Sequence, residues 1–360
     1  MISLLSLLTL FQAYTAVAGL EPERLIVLDT GVGHRSTPIP RWPTSLRSLT
    51  TRGINATILT QFGANSNTTQ ASEPIGAYAL AYSFSTPTLF SATGQDIVRT
   101  STDGGDAETV LNADKDHYGQ TMSMTVAEKE QKIYYGNSFT GLIKKANLDG
   151  SYDSLVRNVS EGLDYSILSY ASAISYAGGI AVDEERGWLY WSSVRGVDDG
   201  SIRRVPISGL GEEQVLVSGI KTPGQIRVVK DSLFWIEGGR QSNSPTAIKF
   251  LDRYLSQLPS SGSTNTPIPT GTLISSSQSP LFFENDSTGE KQTLAITSFV
   301  VYRNGVEQKV WFVVNSAGRT VFGKLIEVVW RGSGDGRGPV SEVLNGDTED
   351  VGVPVGVEYV

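Results

Sequence analysis

The chain has 360 residues, with 29 Lys and Arg against 37 Asp and Glu, a formal net charge of −8 and only 18% charged residues. There is no basic run, so the electrostatic footprint of a nucleic-acid binder is missing, and 38 glycines amid abundant Ser, Thr and Asn describe a folded, β-rich chain with frequent turns. Cysteine is absent and the two histidines are His34 and His117, which excludes disulfide frameworks, thiolate zinc and iron–sulfur sites, cysteine nucleophiles and any three-histidine metal centre within one chain.

Residues Ile2 to Ala18 form an apolar stretch that closes on Ala16-Val17-Ala18, small residues at the spacing a signal peptidase accepts. The expectation is a secretory signal over residues 1–18, a mature chain over 19–360, and a protein of the secretory pathway or secreted from it. No Lys or Arg precedes the stretch, so a short membrane anchor is the alternative. No later stretch approaches the roughly 18 apolar residues of a membrane span, so none is expected after signal cleavage. Four sequons, at Asn55, Asn67, Asn158 and Asn285, fit the same compartment and are expected to carry glycans.

Along the chain, short alternating runs recur with turn residues between them. Arg24-Leu-Ile-Val-Leu-Asp reads as the second strand of a four-strand unit whose first strand is missing. Leu80-Ala-Tyr-Ser, Thr88-Leu-Phe-Ser-Ala, Asp96-Ile-Val-Arg-Thr and Glu108-Thr-Val-Leu make the next unit. Met124-Thr-Val-Ala, Lys132-Ile-Tyr-Tyr-Gly-Asn, Gly141-Leu-Ile-Lys-Lys-Ala-Asn-Leu-Asp-Gly-Ser and Ser154-Leu-Val follow. Then come Gly179-Ile-Ala-Val-Asp, Gly187-Trp-Leu-Tyr-Trp-Ser, Gly200-Ser-Ile-Arg-Arg-Val-Pro and Gln214-Val-Leu-Val. Gln225-Ile-Arg-Val, Leu233-Phe-Trp-Ile-Glu and Ala247-Ile-Lys-Phe-Leu begin a fifth unit. Gln292-Thr-Leu-Ala-Ile-Thr, Val310-Trp-Phe-Val-Val, Val321-Phe-Gly-Lys-Leu-Ile and Ser341-Glu-Val-Leu make a sixth run. Pro354-Val-Gly-Val-Glu-Tyr reads as a first strand with no second. A period of roughly 40 to 50 residues built from strands is the mark of propeller blades. The expected fold is all-β, a six-bladed β-propeller closed by sharing one blade between the N- and C-termini, which removes two open sheet edges. One domain spans 19–360, with a Ser/Pro/Thr-rich excursion at about 241–292. The aromatic pairs Tyr134-Tyr135, Tyr190-Trp191, Phe234-Trp235 and Trp311-Phe312 recur at one place in each unit and are expected to pack between blades.

Ala146-Asn-Leu-Asp-Gly-Ser and Gly179-Ile-Ala-Val-Asp resemble the YWTD repeat of the low-density lipoprotein receptor family, itself a six-bladed propeller. The motif's Thr-Asp pair is replaced here by Gly136-Asn137 and Ser192-Ser193, and no cysteine-rich module flanks the repeats. The resemblance implies a protein-binding propeller.

In a propeller, the loops joining strand two to three, and strand four to the next strand one, open on one face around the axis. Those loops carry His34, His117, Tyr118, Arg195 and Arg240, residue types that transfer protons or polarise an oxygen. Three readings follow. Size, signal and lack of cysteine resemble, in architecture alone, the fungal secretory-pathway hetero-Diels–Alderases of natural-product biosynthesis. That implies a cofactor-free cyclase acting on a small apolar molecule in an axial pocket, with no metal and with those five residues as donors. The second reading is a non-catalytic propeller with a protein partner. The third is a calcium-dependent, lactonase-like hydrolase with Asp183, Asn137 and Glu237 as ligands. Phosphate loops and the Gly-x-Ser-x-Gly elbow are missing.

Overall fold

A computed structural model describes residues 24–29, 44–50, 57–62, 77–93, 96–112, 121–138, 140–160, 175–195, 199–238, 246–252, 255–258, 268–275, 282–285, 290–293, 295–304, 307–315, 324–331, 337–345 and 354–360. Among them, six antiparallel sheets of four strands and one two-stranded hairpin account for the architecture. The first sheet holds β1 (Arg24–Asp29), β2 (Ser45–Thr50) and β3 (Thr57–Gln61). The second holds β4 (Ala77–Ser83), β5 (Thr88–Thr93), β6 (Asp96–Ser101) and β7 (Glu108–Asn112). The third holds β8 (Thr121–Ala127), β9 (Lys132–Asn137), β10 (Leu142–Asn147) and β11 (Ser154–Asn158), and the fourth β12 (Tyr176–Asp183), β13 (Trp188–Val194), β14 (Gly200–Pro206) and β15 (Gln214–Ile220). The fifth is β16 (Ile226–Val229), β17 (Ser232–Glu237), β18 (Ala247–Leu251) and β19 (Gly271–Ser275). A hairpin of β20 (Phe282–Asn285) and β21 (Glu290–Thr293) follows. The sixth is β22 (Ala295–Asn304), β23 (Glu307–Asn315), β24 (Lys324–Arg331) and β25 (Arg337–Asn345). The last strand, β26 (Pro354–Tyr359), pairs antiparallel with β1, Leu25 opposite Tyr359 and Val27 opposite Val357.

The first strand of each sheet lies innermost, and these strands contact one another in the order β26, β4, β8, β12, β16, β22 and back to β26. Six apolar clusters fill the wedges between successive sheets. The aromatic pairs fill them by strand alternation, because neighbouring residues on a strand face opposite sides of the sheet. Tyr135 packs toward the second blade and Tyr134 toward the fourth; Trp235 packs toward the fourth and Phe234 toward the sixth. All eight of these aromatic side chains are buried, as the repeat logic requires.

Two departures from the sequence reading have local causes. The 241–292 segment is not one excursion: β18 is the Ala247–Leu251 strand the repeat reading placed in the fifth unit, β19 completes that sheet, a 3-10 turn covers Leu255–Gln257, and β20 and β21 make a hairpin before the sixth sheet. Its Ser and Thr residues masked the Thr-Leu-Ile core of β19, whose Leu273 and Ile274 are buried in the fifth–sixth wedge. Gly136 stands where the YWTD motif has Thr because space is lacking: a Cβ there would lie 2.7 Å from Ser123 Oγ and 3.2 Å from the Cβ of Ala177 on the next inner strand.

Candidate functional site

The inner strands share a defect that alternation alone does not reveal. In β4, β8, β12, β22 and β26, one residue near the start is skipped by the ladder: Tyr78, Met122, Gly178, Thr297 and Val355 respectively. Each is a β-bulge at the same level, next to the face where the two-to-three and four-to-one loops open. Bulges re-aim side chains and leave backbone groups outside the ladder. Neighbouring blades satisfy such groups, as buried backbone requires. Ser123 Oγ donates to Ala177 O at 3.0 Å, and Ser192 Oγ donates to Gly224 O at 2.6 Å. Phe299 N donates to Gln225 Oε1 at 2.7 Å, and Val357 N donates to Ser298 Oγ at 3.2 Å. The ring is thus cross-linked blade to blade at its mouth.

A cavity opens at this level on the axis. Its described lining comes from five blades and includes Tyr78, Met122, Tyr176, Thr222, Pro223, Gln225, Ile236 and Thr297, with glycines 178, 179, 224 and 238 between them. None of the described lining residues carries a charge. Gly178 is needed for closeness here, since a Cβ on it would lie 2.4 Å from Pro223 O. The chemistry on offer is aromatic and thioether surface, the hydroxyls of Ser123, Thr222, Thr297 and Ser298, and the Gln225 amide, a lining suited to an uncharged group.

Deeper on the same strand face as Gln225, one pleat along β16, Arg227 reaches Glu358 of β26 and forms an ion pair with it. The two inner strands are not neighbours, because β22 lies between them. Side-chain exposure is 19% for Arg227 and 7% for Glu358. Burial pushes the Glu358 carboxyl above the usual carboxylate range, and the Arg227 guanidinium offsets this only in part. The folded protein therefore favours the protonated acid more than the unfolded chain does. Stability from this group is fully present below the unfolded carboxylate value and is lost as pH rises through the higher folded value. Urea midpoints measured from acid to neutral pH are expected to fall more for the wild type than for Glu358→Gln over that window.

Of the residues expected to act, Arg195 is described: its side chain is 54% exposed, lies 3.8 Å from Asp199, and is not among the described lining of the axial cavity. His34, His117, Tyr118 and Arg240 lie outside the described residues, as do Asn55 and Asn67. Asn285 falls on β20, where only the backbone is described. Asn158 ends β11 on the mouth side, and its Oδ1 accepts from Ser160 N at 3.1 Å and Ser160 Oγ at 2.8 Å. The three calcium ligands are not brought together. Asn137 and Glu237 end second strands on the mouth side, whereas Asp183 ends the inner strand β12 on the opposite face. There Asp183 is held by Arg186 at 2.9 Å, and Arg186 bridges on to Asp231 at 3.1 Å. Among the described residues, no group of three or more His, Asp or Glu is placed to hold a metal ion. Nor is any described helix long and apolar enough to cross a membrane.

The bulge residues Tyr78 and Met122 escaped the sequence reading because each precedes the motif that was read, whereas Thr297 fell inside the run from Gln292 with nothing there to mark a bulge. The first strands β4, β8 and β12 each start three residues before the repeat motif read from the sequence, which is where their bulges lie.

No family model matches the chain. It is 27% identical over 169 residues to low-density lipoprotein receptor-related protein 1 from Pyricularia oryzae, a match covering 44% of this chain and 54% of that one, so the chain spans about half the length of its curated relative. A chain in the crystal structure of a nidogen/laminin complex superposes with a TM-score of 0.58 at 14% identity, covering 93% of this chain and 97% of that chain. TolB from Acinetobacter baumannii superposes with a TM-score of 0.49 at 13% identity, over 89% and 64% of the respective chains. The protein is a six-bladed, all-β propeller that resembles the YWTD type. These likenesses lend nothing to the hetero-Diels–Alderase resemblance.

Proposed function

We propose that this is a binding propeller of the secretory pathway that takes an uncharged, protruding segment of a protein partner into the mouth of its axial channel. The observation that carries the reading is the mouth itself, a ring of bulged inner strands presenting Tyr78, Met122, Tyr176 and Pro223 around an uncharged hollow. Aromatic and thioether groups set in a desolvated hollow are the usual anchors of protein recognition. One structural neighbour comes from a complex of two proteins, nidogen and laminin, which supports the same use of the fold. The secretory assignment rests on the residue 1–18 signal and the four sequons.

The second reading is the cofactor-free cyclase on a small apolar molecule, favoured by the same uncharged lining. It requires polarising donors at the axis, and the one such candidate described, Arg195, is engaged near Asp199 away from the described lining.

Immobilised protein challenged with the secretions of its source separates the two. Wild type and Phe84→Ala, on the turn at the opposite face, are expected to retain one protein species equally. Tyr78→Ala/Tyr176→Ala is expected to bind it about thirtyfold more weakly, the loss of roughly 2 kcal/mol usual for aromatic anchors. Equal retention by the mouth variant overturns the reading. A small molecule seen on the wild type by native mass spectrometry, with no protein retained, moves the assignment to the cyclase.

A further inference from the structure

The C-terminal strand has an ambiguity in its own sequence. Val351-Gly-Val-Pro-Val-Gly-Val-Glu-Tyr-Val places valine at 351, 353, 355 and 357 and glycine at 352 and 356. Sliding β26 by two residues along β1 puts Val355, which the ladder now skips, where Val357 packs against Leu25, Val27 and Trp311. A pattern of period two defines which face is buried and leaves such a slip undefined. Pro354 opposes that slip by one lost ladder hydrogen bond. The slip also moves Tyr359 away from its edge contact with Tyr302, and it removes the charge, since Gly356 would stand in place of Glu358.

We propose that the buried Arg227–Glu358 pair is a register lock, which fixes the C-terminal strand in one of several otherwise similar seatings and so sets the level of the channel mouth. The pair is suited to specifying rather than stabilising. It joins inner strands that are not neighbours, both partners are largely removed from water, and Arg227 Nε is buried without an acceptor. Buried pairs of this kind add little net stability over apolar substitutes, and setting register is their best-attested use. A second brace runs parallel to it. Ser298 Oγ donates to Gln225 Oε1 at 3.0 Å and accepts from Val357 N, so β16, β22 and β26 are tied both at the mouth and one pleat below it. After a two-residue slip the Val355 N–H takes the place of Val357's at Ser298 Oγ, so of the two ties the ion pair is the one that distinguishes the registers.

The absence of native cysteine makes the register readable by disulfide trapping. Arg24 and Val360 exchange backbone hydrogen bonds at 3.3 and 3.0 Å, which makes Val27 and Val357, three steps along, a pair without hydrogen bonds between them, where two cysteines bridge readily. Val27→Cys/Val357→Cys reports the native seating, and Val27→Cys/Val355→Cys reports the slip. With the ion pair intact, only the native reporter is expected to oxidise. In an Arg227→Met/Glu358→Leu background, which removes both charges together, the protein is expected to keep a cooperative thermal transition within a few degrees of the parent while the slip reporter oxidises as well. A slip reporter that stays reduced in that background overturns the proposal. Loss of cooperative folding there also overturns it, since the pair would then be holding the fold and not its register.

Discussion

A chain that stops at Val353 is expected to lose its cooperative unfolding transition. Strand β26 pairs with β1 from Leu25 opposite Tyr359 to Asp29 opposite Pro354, and it packs against β22 on one side and β4 on the other. Its removal uncovers Leu25, Val27, Val300 and Trp311, all buried around Val357, and leaves β1 as an open inner edge. Exposing each such side chain costs about 1.5–3 kcal/mol, so several together approach the roughly 5–15 kcal/mol that holds a whole domain. Urea titration followed by tryptophan fluorescence reads the result. A truncated chain with a sharp midpoint close to that of the full chain would show that the ring does not depend on its last strand.

The second large effect is expected from a single added methyl group. Gly150, in the turn between β10 and β11, has φ +84°, and a Cβ there would lie 1.8 Å from Val110 O on the outer strand β7 of the preceding blade. The arrangement repeats: Gly104 lies against Leu59 O and Gly209 against Val156 O, and each target is the third residue of the preceding outer strand. Gly150→Ala must therefore displace one blade from the next as well as strain its own backbone, and a loss of more than about 3 kcal/mol is expected. Gly187→Ala is the matched control. Its φ is +72° with nothing within 4 Å of the new Cβ, so the backbone penalty of about 1–2 kcal/mol acts alone. Equal losses for the two variants in urea titration would show that this close approach between blades does not matter.

That glycine illustrates how much of the protein was legible beforehand. Asn147-Leu-Asp-Gly150-Ser announces a turn, and alternation with recurrent aromatic pairs announces the blades, because both signals are local. Asp29, Asn137 and Glu237 could likewise be placed at strand ends by counting. The contact that makes Gly150 indispensable lies between blades, and a repeat motif records only what happens within one. The bulges at Tyr78, Met122, Gly178 and Thr297 are shifts of pairing by one residue, which leave the composition of the strand unchanged. The Arg227–Glu358 pair joins residues 131 apart, so no spacing rule reaches it. Candidate residues chosen by chemical type, such as Arg195 and Asp183, lie outside the described lining of the mouth for the same reason: a residue's chemistry does not encode which way its loop or strand end faces.

A polypeptide partner is expected to enter the uncharged mouth. A photoreactive phenylalanine analogue placed at Tyr176, and in a separate protein at Phe84 on the opposite face, tests it in the producing cells. The expected result is a protein adduct formed from position 176 and none from position 84. An adduct formed from position 84 with none from position 176 would contradict the account and place the binding surface on the other side of the ring.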